Sequence, residues 1–136
     1  MYLVDTDILS LLGRPERHRQ VAEWVAGQRE SDLYLSVITI AEVERGIASL
    51  RSRDPMFAES LAGWLDHILQ VHASRILPAN LPVARRLGRL VARLGHSDFD
   101  LIIAATALEH RLTVVTRNVR HFLATGVKVV DPGAEA

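Results

Sequence analysis

The feature that most restricts this chain is a set of short, unbroken apolar runs, at residues 2–4, 33–36, 75–78, 112–116 and 127–130, each separated from the next by a stretch of helical period. A strand with one wet face alternates apolar and polar residues. A run such as Leu112-Thr113-Val114-Val115 does not alternate, so helices must cover both of its faces. Parallel strands also need long crossover connections, which the intervening stretches supply. The expected class is therefore α/β with a mostly parallel sheet.

Helices are expected at 8–12, 16–28, 40–51, 56–72, 82–94 and 99–110, with a short turn of helix at 119–123. In 82–94, Pro82 sits near the start, and Val83, Leu87, Leu90, Val91 and Leu94 share one side. Arg85, Arg89 and Arg93 recur four apart on another. That stripe reads first as a solvated face, and second as a place to hold phosphates or an acidic partner. Gly95 then stops the helix, with Ser97 and Asp98 as caps for the next.

With 136 residues the chain suits one domain, at 1–131, with a short tail at 132–136, where alone disorder is expected. Its formal charge is zero, so nothing draws it globally to a polyanion and any basic surface is local. All its cations but Lys128 are Arg, a bias that GC-rich coding or selection for paired phosphate contacts would both produce. The absence of cysteine removes disulfides, thiolate zinc sites and cysteine nucleophiles, and suits a cytoplasmic location. No apolar run is long enough to span a membrane, and the opening Tyr2-Leu3-Val4-Asp5 has no basic leader, so neither membrane insertion nor a signal peptide is expected.

Three carboxylates stand at strand-to-helix junctions. Asp5 ends the first apolar run, where open α/β sheets bind ligands. Capping of the following helix would also explain it, although Asp7 is the better placed cap. Glu42 falls in the first turn of the helix expected after the link Val37-Ile38-Thr39, four residues before Gly46 on the same face. The glycine leaves room there for an ion or a phosphate, or else allows close helix packing. Asp100 opens a helix whose Ile102-Ile103-Ala104-Ala105-Thr106-Ala107 is apolar and small almost all round, so a deeply buried helix presents a carboxylate at its mouth. Asp98 lies about 200° away and reads as a cap. Thr116-Arg117-Asn118 follows a strand and brings hydroxyl, guanidinium and amide groups to the same sheet end, although turn chemistry accounts for each singly.

Like charges gathered at one place repel unless cations or protons neutralise them. Oxygen ligands without Cys or paired His favour magnesium or manganese over zinc. The six histidines show no metal spacing, since His67 and His72 diverge around their helix.

These residues make the sequence resemble a PIN-domain ribonuclease of the VapC toxin type, in its FitB-like branch. Leu3-Val4-Asp5-Thr6-Asp7 is similar to the family's apolar-Asp-Thr-Asn opening. Ser36-Val37-Ile38-Thr39-Ile40-Ala41-Glu42, closing on Gly46, resembles its second acidic motif. Asp100-Leu101-Ile102-Ile103-Ala104-Ala105-Thr106-Ala107 resembles the third, and 112–118 with Phe122 the closing Thr-Arg-Asn segment. Each is weak alone, but the order and spacing are specific.

The resemblance implies a three-layer domain with a five-stranded parallel sheet between helices. It implies that Asp5, Glu42 and Asp100 bind Mg²⁺ or Mn²⁺, that RNA is the substrate, and that a VapB-like antitoxin binds the chain in a homodimeric toxin–antitoxin assembly. Thr6, Thr116 and Asn118 would support the carboxylates, and Arg117 would meet a substrate phosphate. Two residues depart from the pattern: Asp7 replaces an Asn, and Asn118 stands where some members carry a fourth acid, which takes a charge from a second metal site.

Two alternatives remain open from the residues. Val4-Asp5-Thr6-Asp7 fits a haloacid dehalogenase-like phosphatase with Asp5 as nucleophile, although Asp98 and Asp100 precede Thr116 in the wrong order and Lys128 is the only lysine. A non-catalytic acidic-pocket module that holds a partner is the other, with a groove expected within residues 8–65.

Overall fold

The apolar runs become strands β1 (Tyr2–Val4), β2 (Leu33–Ser36), β3 (Ile76–Leu77), β4 (Thr113–Val115) and β5 (Val129–Val130). Between them lie α1 (Thr6–Leu12), α2 (Arg19–Ala26), α3 (Val37–Leu50), α4 (Pro55–Val71), α5 (Leu81–Leu94), α6 (Phe99–His110) and α7 (Val119–Leu123). The structure is a computed structural model that describes residues 1–134. All strand pairs are parallel, in the order β3-β2-β1-β4-β5.

The unbroken apolar character of the strands follows from two separate cores. Leu3 of β1 and Val114 of β4 point to one face, against Val83 and Leu90 of α5, Ile103 of α6 and Phe122 of α7. Their neighbours Val4 and Val115 point to the other, against Ile8 and Leu9 of α1, Val43 of α3 and Leu65 of α4. Successive side chains on a strand alternate faces, so two buried faces demand apolar residues at every position. The result is the three-layer α/β arrangement expected from sequence.

From β1 the chain moves to one side for β2 and β3, then crosses to the other side for β4 and β5. The direction therefore reverses between β1 and β4, which opens a crevice beyond their carboxyl ends. Register places Val4 beside Val115, so Asp5 and Thr116 leave the sheet side by side.

Several boundaries differ from the sequence reading. The helix expected at 16–28 is broken, because Pro15 opens a short 3₁₀ turn (Pro15–Arg17) and α2 starts only at Arg19. The expected link Val37-Ile38-Thr39 is instead the first turn of α3. Its β-branched residues are poor helix formers, but the Ser36 hydroxyl accepts the Ile38 N–H at 3.1 Å and Thr39 is fully buried, so capping and packing override propensity. Asp98, not Ser97, is the cap of α6, accepting the Leu101 N–H at 3.0 Å. The chain also stays packed beyond residue 131: Pro132 is buried and the Gly133 N–H bonds Asp131, while residues 135 and 136 of the expected tail lie outside the described residues.

Helix α6 is buried from Ile103 through Ala107, and its small residues let α5 and the sheet approach closely. Ile103→Ala removes a fully buried side chain and is expected to cost about 2–5 kcal/mol, read as a lower urea midpoint with unchanged slope.

Candidate active site at the crevice

Asp5 is the residue around which the crevice is organised. Its backbone N–H donates to the Val115 carbonyl at 3.0 Å, extending the pairing of β1 with β4 by one residue. The residue is 2 % exposed. Oδ1 accepts the Thr6 N–H at 2.8 Å, and Oδ2 accepts the Thr116 hydroxyl at 2.8 Å. The Thr116 hydroxyl in turn accepts the Asn118 N–H at 3.0 Å, so it is aimed at Asp5 from behind. Asn118 thus supports the site through its backbone, and any residue but proline could do so.

Asp7 was expected to cap α1. It does not: Asp5 is the capping residue, and Asp7 sits in the first turn with its side chain in the crevice. The reason is the position of the first helical residue, Thr6, which is bonded directly to the carboxyl before it. Asp7 Oδ2 accepts the Arg117 N–H at 3.2 Å, while Oδ1 is buried with no hydrogen-bond partner among the described residues.

Glu42 lies in the second turn of α3, because that helix begins earlier than expected. Its Oε1 accepts the Thr6 hydroxyl at 2.6 Å, and that hydroxyl is also hydrogen-bonded to Thr39 at 3.1 Å. Asp5 and Glu42 are therefore linked through successive groups of one residue, the N–H and the hydroxyl of Thr6. An added Cβ at Gly46 would meet nothing within 4 Å, so close helix packing does not explain that glycine. It lines a cleft with Glu42 instead.

Asp100, in the first turn of α6, has its Oδ2 at 2.8 Å from Nδ1 of His121 on α7. No sequence signal identified His121, since it is twenty-one residues from its partner and lacks metal-ligand spacing. Thr39 was missed as well. Its one local sign was a hydroxyl inside an apolar helical run.

Burial pushes the Asp5 carboxyl up to about 7, with the Asp7 charge adding to it, then Asp100; the bonds from Thr116 and Thr6 oppose the rise. Burial also raises Asp7, opposed chiefly by the Arg117 N–H. Two adjacent carboxyls that resist joint ionisation call for a proton or a cation. The unpartnered Asp7 oxygen and the all-oxygen donor set fit a hard divalent ion. Among the described residues, no group of three or more His, Cys, Asp or Glu side chains is arranged to hold a metal ion. Glu42 is hydrogen-bonded to Thr6 and Asp100 to His121, while Asp5 and Asp7 are close enough for the charge of one to raise the other.

Residues 2–128 match the family model described as the PIN domain. The chain belongs to the PIN domain family. It is 34% identical to the VapC ribonuclease Y4jK of Sinorhizobium fredii, with 97% of each chain covered. It is 36% identical to the toxin FitB of Neisseria gonorrhoeae, covering 97% of this chain and 98% of that one. The crystal structure of FitAcB from N. gonorrhoeae superposes with a TM-score of 0.88 at 36% identity, over 98% of this PIN domain chain and 99% of that one. The phosphatase alternative falls with this assignment.

The raised Asp5 pKa has a stability consequence with a definite sign. Between the ordinary value of 3.8 and about 7 the native PIN domain holds a proton that the unfolded chain has lost, so stability falls as pH rises through that window. Chelator-treated protein is expected to lose on the order of a few kcal/mol between about pH 4 and about pH 7, with Mn²⁺ restoring stability at the upper end. Asp5→Asn should flatten the profile; a wild-type urea midpoint independent of pH would contradict the assigned burial effect.

Proposed function

We propose that this chain is the toxin of a toxin–antitoxin pair and cleaves RNA endonucleolytically with Mg²⁺ or Mn²⁺ at Asp5, Glu42 and Asp100. The observation that carries the reading is the Asp5 carboxyl, buried at the end of β1 beside an unpartnered Asp7 oxygen in a PIN-domain chain. A charge is costly there unless a cation meets it.

When bound, a divalent ion supplies Lewis acidity, lowering the pKa of a water and offsetting charge on phosphoryl oxygens. The chain's own groups do the rest. Thr116 and the Thr6 N–H fix the plane of the Asp5 carboxyl, and the Thr6 hydroxyl holds Glu42 toward the crevice. His121 holds Asp100, and Asp7 keeps one buried oxygen without a hydrogen-bond partner among the described residues. Arg117, close enough to Asp7 to lower its pKa, would take oxygens of the substrate phosphate in this reading.

The antitoxin part of the proposal is supported by a cleft of about 240 Å³ lined by Val43, Ile47, Leu50, Leu61 and Trp64, with Glu42 and Gly46 also on its wall. It falls within the region 8–65 where a partner groove was expected. A VapB-like segment laid there would cover apolar surface and reach the acidic crevice together. The proposed assembly is a toxin homodimer within a toxin–antitoxin hetero-oligomer, acting in the cytoplasm. No helix among the described residues is long and apolar enough to cross a membrane.

Partner-free protein is expected to cut cellular RNA with added Mg²⁺ or Mn²⁺ and to lose the activity in EDTA. Asp5→Asn, Glu42→Gln and Asp100→Asn should each lower the rate by at least ~100-fold, since even the groups that orient metal ligands are worth about 10–100-fold. Thr6→Val, which releases Glu42 without removing a carboxylate, should fall within that smaller range. Undiminished cleavage by Asp100→Asn would sink the proposal.

A further inference from the structure

A second cleft, of about 440 Å³, opens next to the crevice and has the opposite charge character. Arg17, His18 and Arg19 line it from the turn before α2 and its first residue, Arg117 from the segment after β4, and Asp131 and Gly133 from the turn after β5. Arg17, Arg19 and Arg117 are exposed, and none of the three side chains forms an ion pair with a described residue. Among the described lining residues the one acid, Asp131, is engaged by the Gly133 N–H at 2.9 Å. Three arginines thus line one cleft in a chain with no net charge, with Asp131 as the single acid among its described lining residues.

Arg117 belongs to both places. Its N–H donates to Asp7 in the acidic crevice, while the residue also lines the basic cleft. The acidic crevice by itself repels a polyanion, so a strand brought there needs cations close by to hold its flanking phosphates. Guanidinium groups suit that role because they pair with two phosphate oxygens at once. We infer that the Arg17–Arg19–Arg117 cleft is a phosphate-binding subsite that holds the RNA strand next to the scissile bond. The inference rests on the ribonuclease reading above. RNA is favoured over an acidic protein segment because Arg117, on the wall of the cleft, also donates its backbone N–H to Asp7 in the crevice proposed to act on a phosphodiester.

The test is binding of a fluorescently labelled ten-nucleotide single-stranded RNA to full-length protein carrying Asp5→Asn, so that the RNA is not cut, across a monovalent salt series. Removing two phosphate contacts from a single strand lowers the log–log salt slope by about 1.4, equivalent to about 25-fold weaker binding at 0.1 M relative to a 1 M reference. Adding Arg17→Ala and Arg19→Ala together is expected to produce that change. Adding Arg85→Ala and Arg89→Ala, on the exposed stripe of α5, should leave affinity and slope nearly unchanged. Equal losses in the two pairs would reduce the effect to net charge and overturn the subsite, as would an unchanged slope for Arg17→Ala/Arg19→Ala. Loss of polyglutamate binding with RNA binding intact would assign the cleft to an acidic protein and overturn it too. Wild-type RNA cleavage is scored separately: its absence removes the ribonuclease reading, whereas the binding series decides the cleft.

Discussion

Asp5 is held from three directions. Its N–H closes the β1–β4 pairing on Val115, one carboxyl oxygen starts α1 through Thr6, and the other takes the Thr116 hydroxyl. One buried side chain therefore joins the two central strands, the first helix and the loop after β4, and the carboxylate that results is the one least able to carry its charge alone. Burial raises its pKa toward neutrality, and Asp7 adds repulsion where solvent cannot screen it. The fold is arranged so that a group costly to ionise sits at the one crevice created by the reversal of strand order.

Around that centre the other acids are held by neutral or weakly basic neighbours. Glu42 leans on the hydroxyl of Thr6, which is backed by Thr39, and Asp100 leans on His121. Each arrangement keeps a carboxylate near the crevice without requiring all of them to face one another. Such supports fix the orientation of potential ligands, and they come from α1, α3 and α7, elements that meet only in the folded chain. Beyond the acids, Arg117 belongs to two places: its backbone N–H and its charge act on Asp7 in the acidic crevice, and the residue also lines the basic cleft. A protein of zero formal charge thus carries acidic and basic residues segregated into neighbouring places.

Much of this was legible before folding. The unbroken apolar runs indicated strands covered on both faces, and the two cores on either side of Leu3 and Val4 are the physical form of that signal. The three acidic junctions were legible because strand ends and helix starts are marked by local chemistry. Finer points were not. Asp7 read as a cap because Asp is a good cap in general, yet the carboxyl of Asp5 had already taken the nearest free N–H. Glu42 read as a first-turn residue because Val37, Ile38 and Thr39 disfavour helix locally, whereas Ser36 capping and burial of Thr39 decided otherwise. Asn118 read as a polar side chain for the site, and its backbone N–H does the bonding.

The sequence by itself determined the class of fold and the residues able to carry the chemistry, since periodicity, caps and carboxylates at junctions are properties of neighbours along the chain. Only the tertiary structure decided which of those acids are buried, which are paired and which is left with an unpartnered oxygen. The reason is distance: Thr116 and Asp5 are 111 residues apart, Arg117 and Asp7 are 110 apart, and Glu42 meets Thr6 across 36. No local pattern encodes such pairings, and the burial that raises the Asp5 pKa exists only once α/β layers have closed over both faces of the sheet.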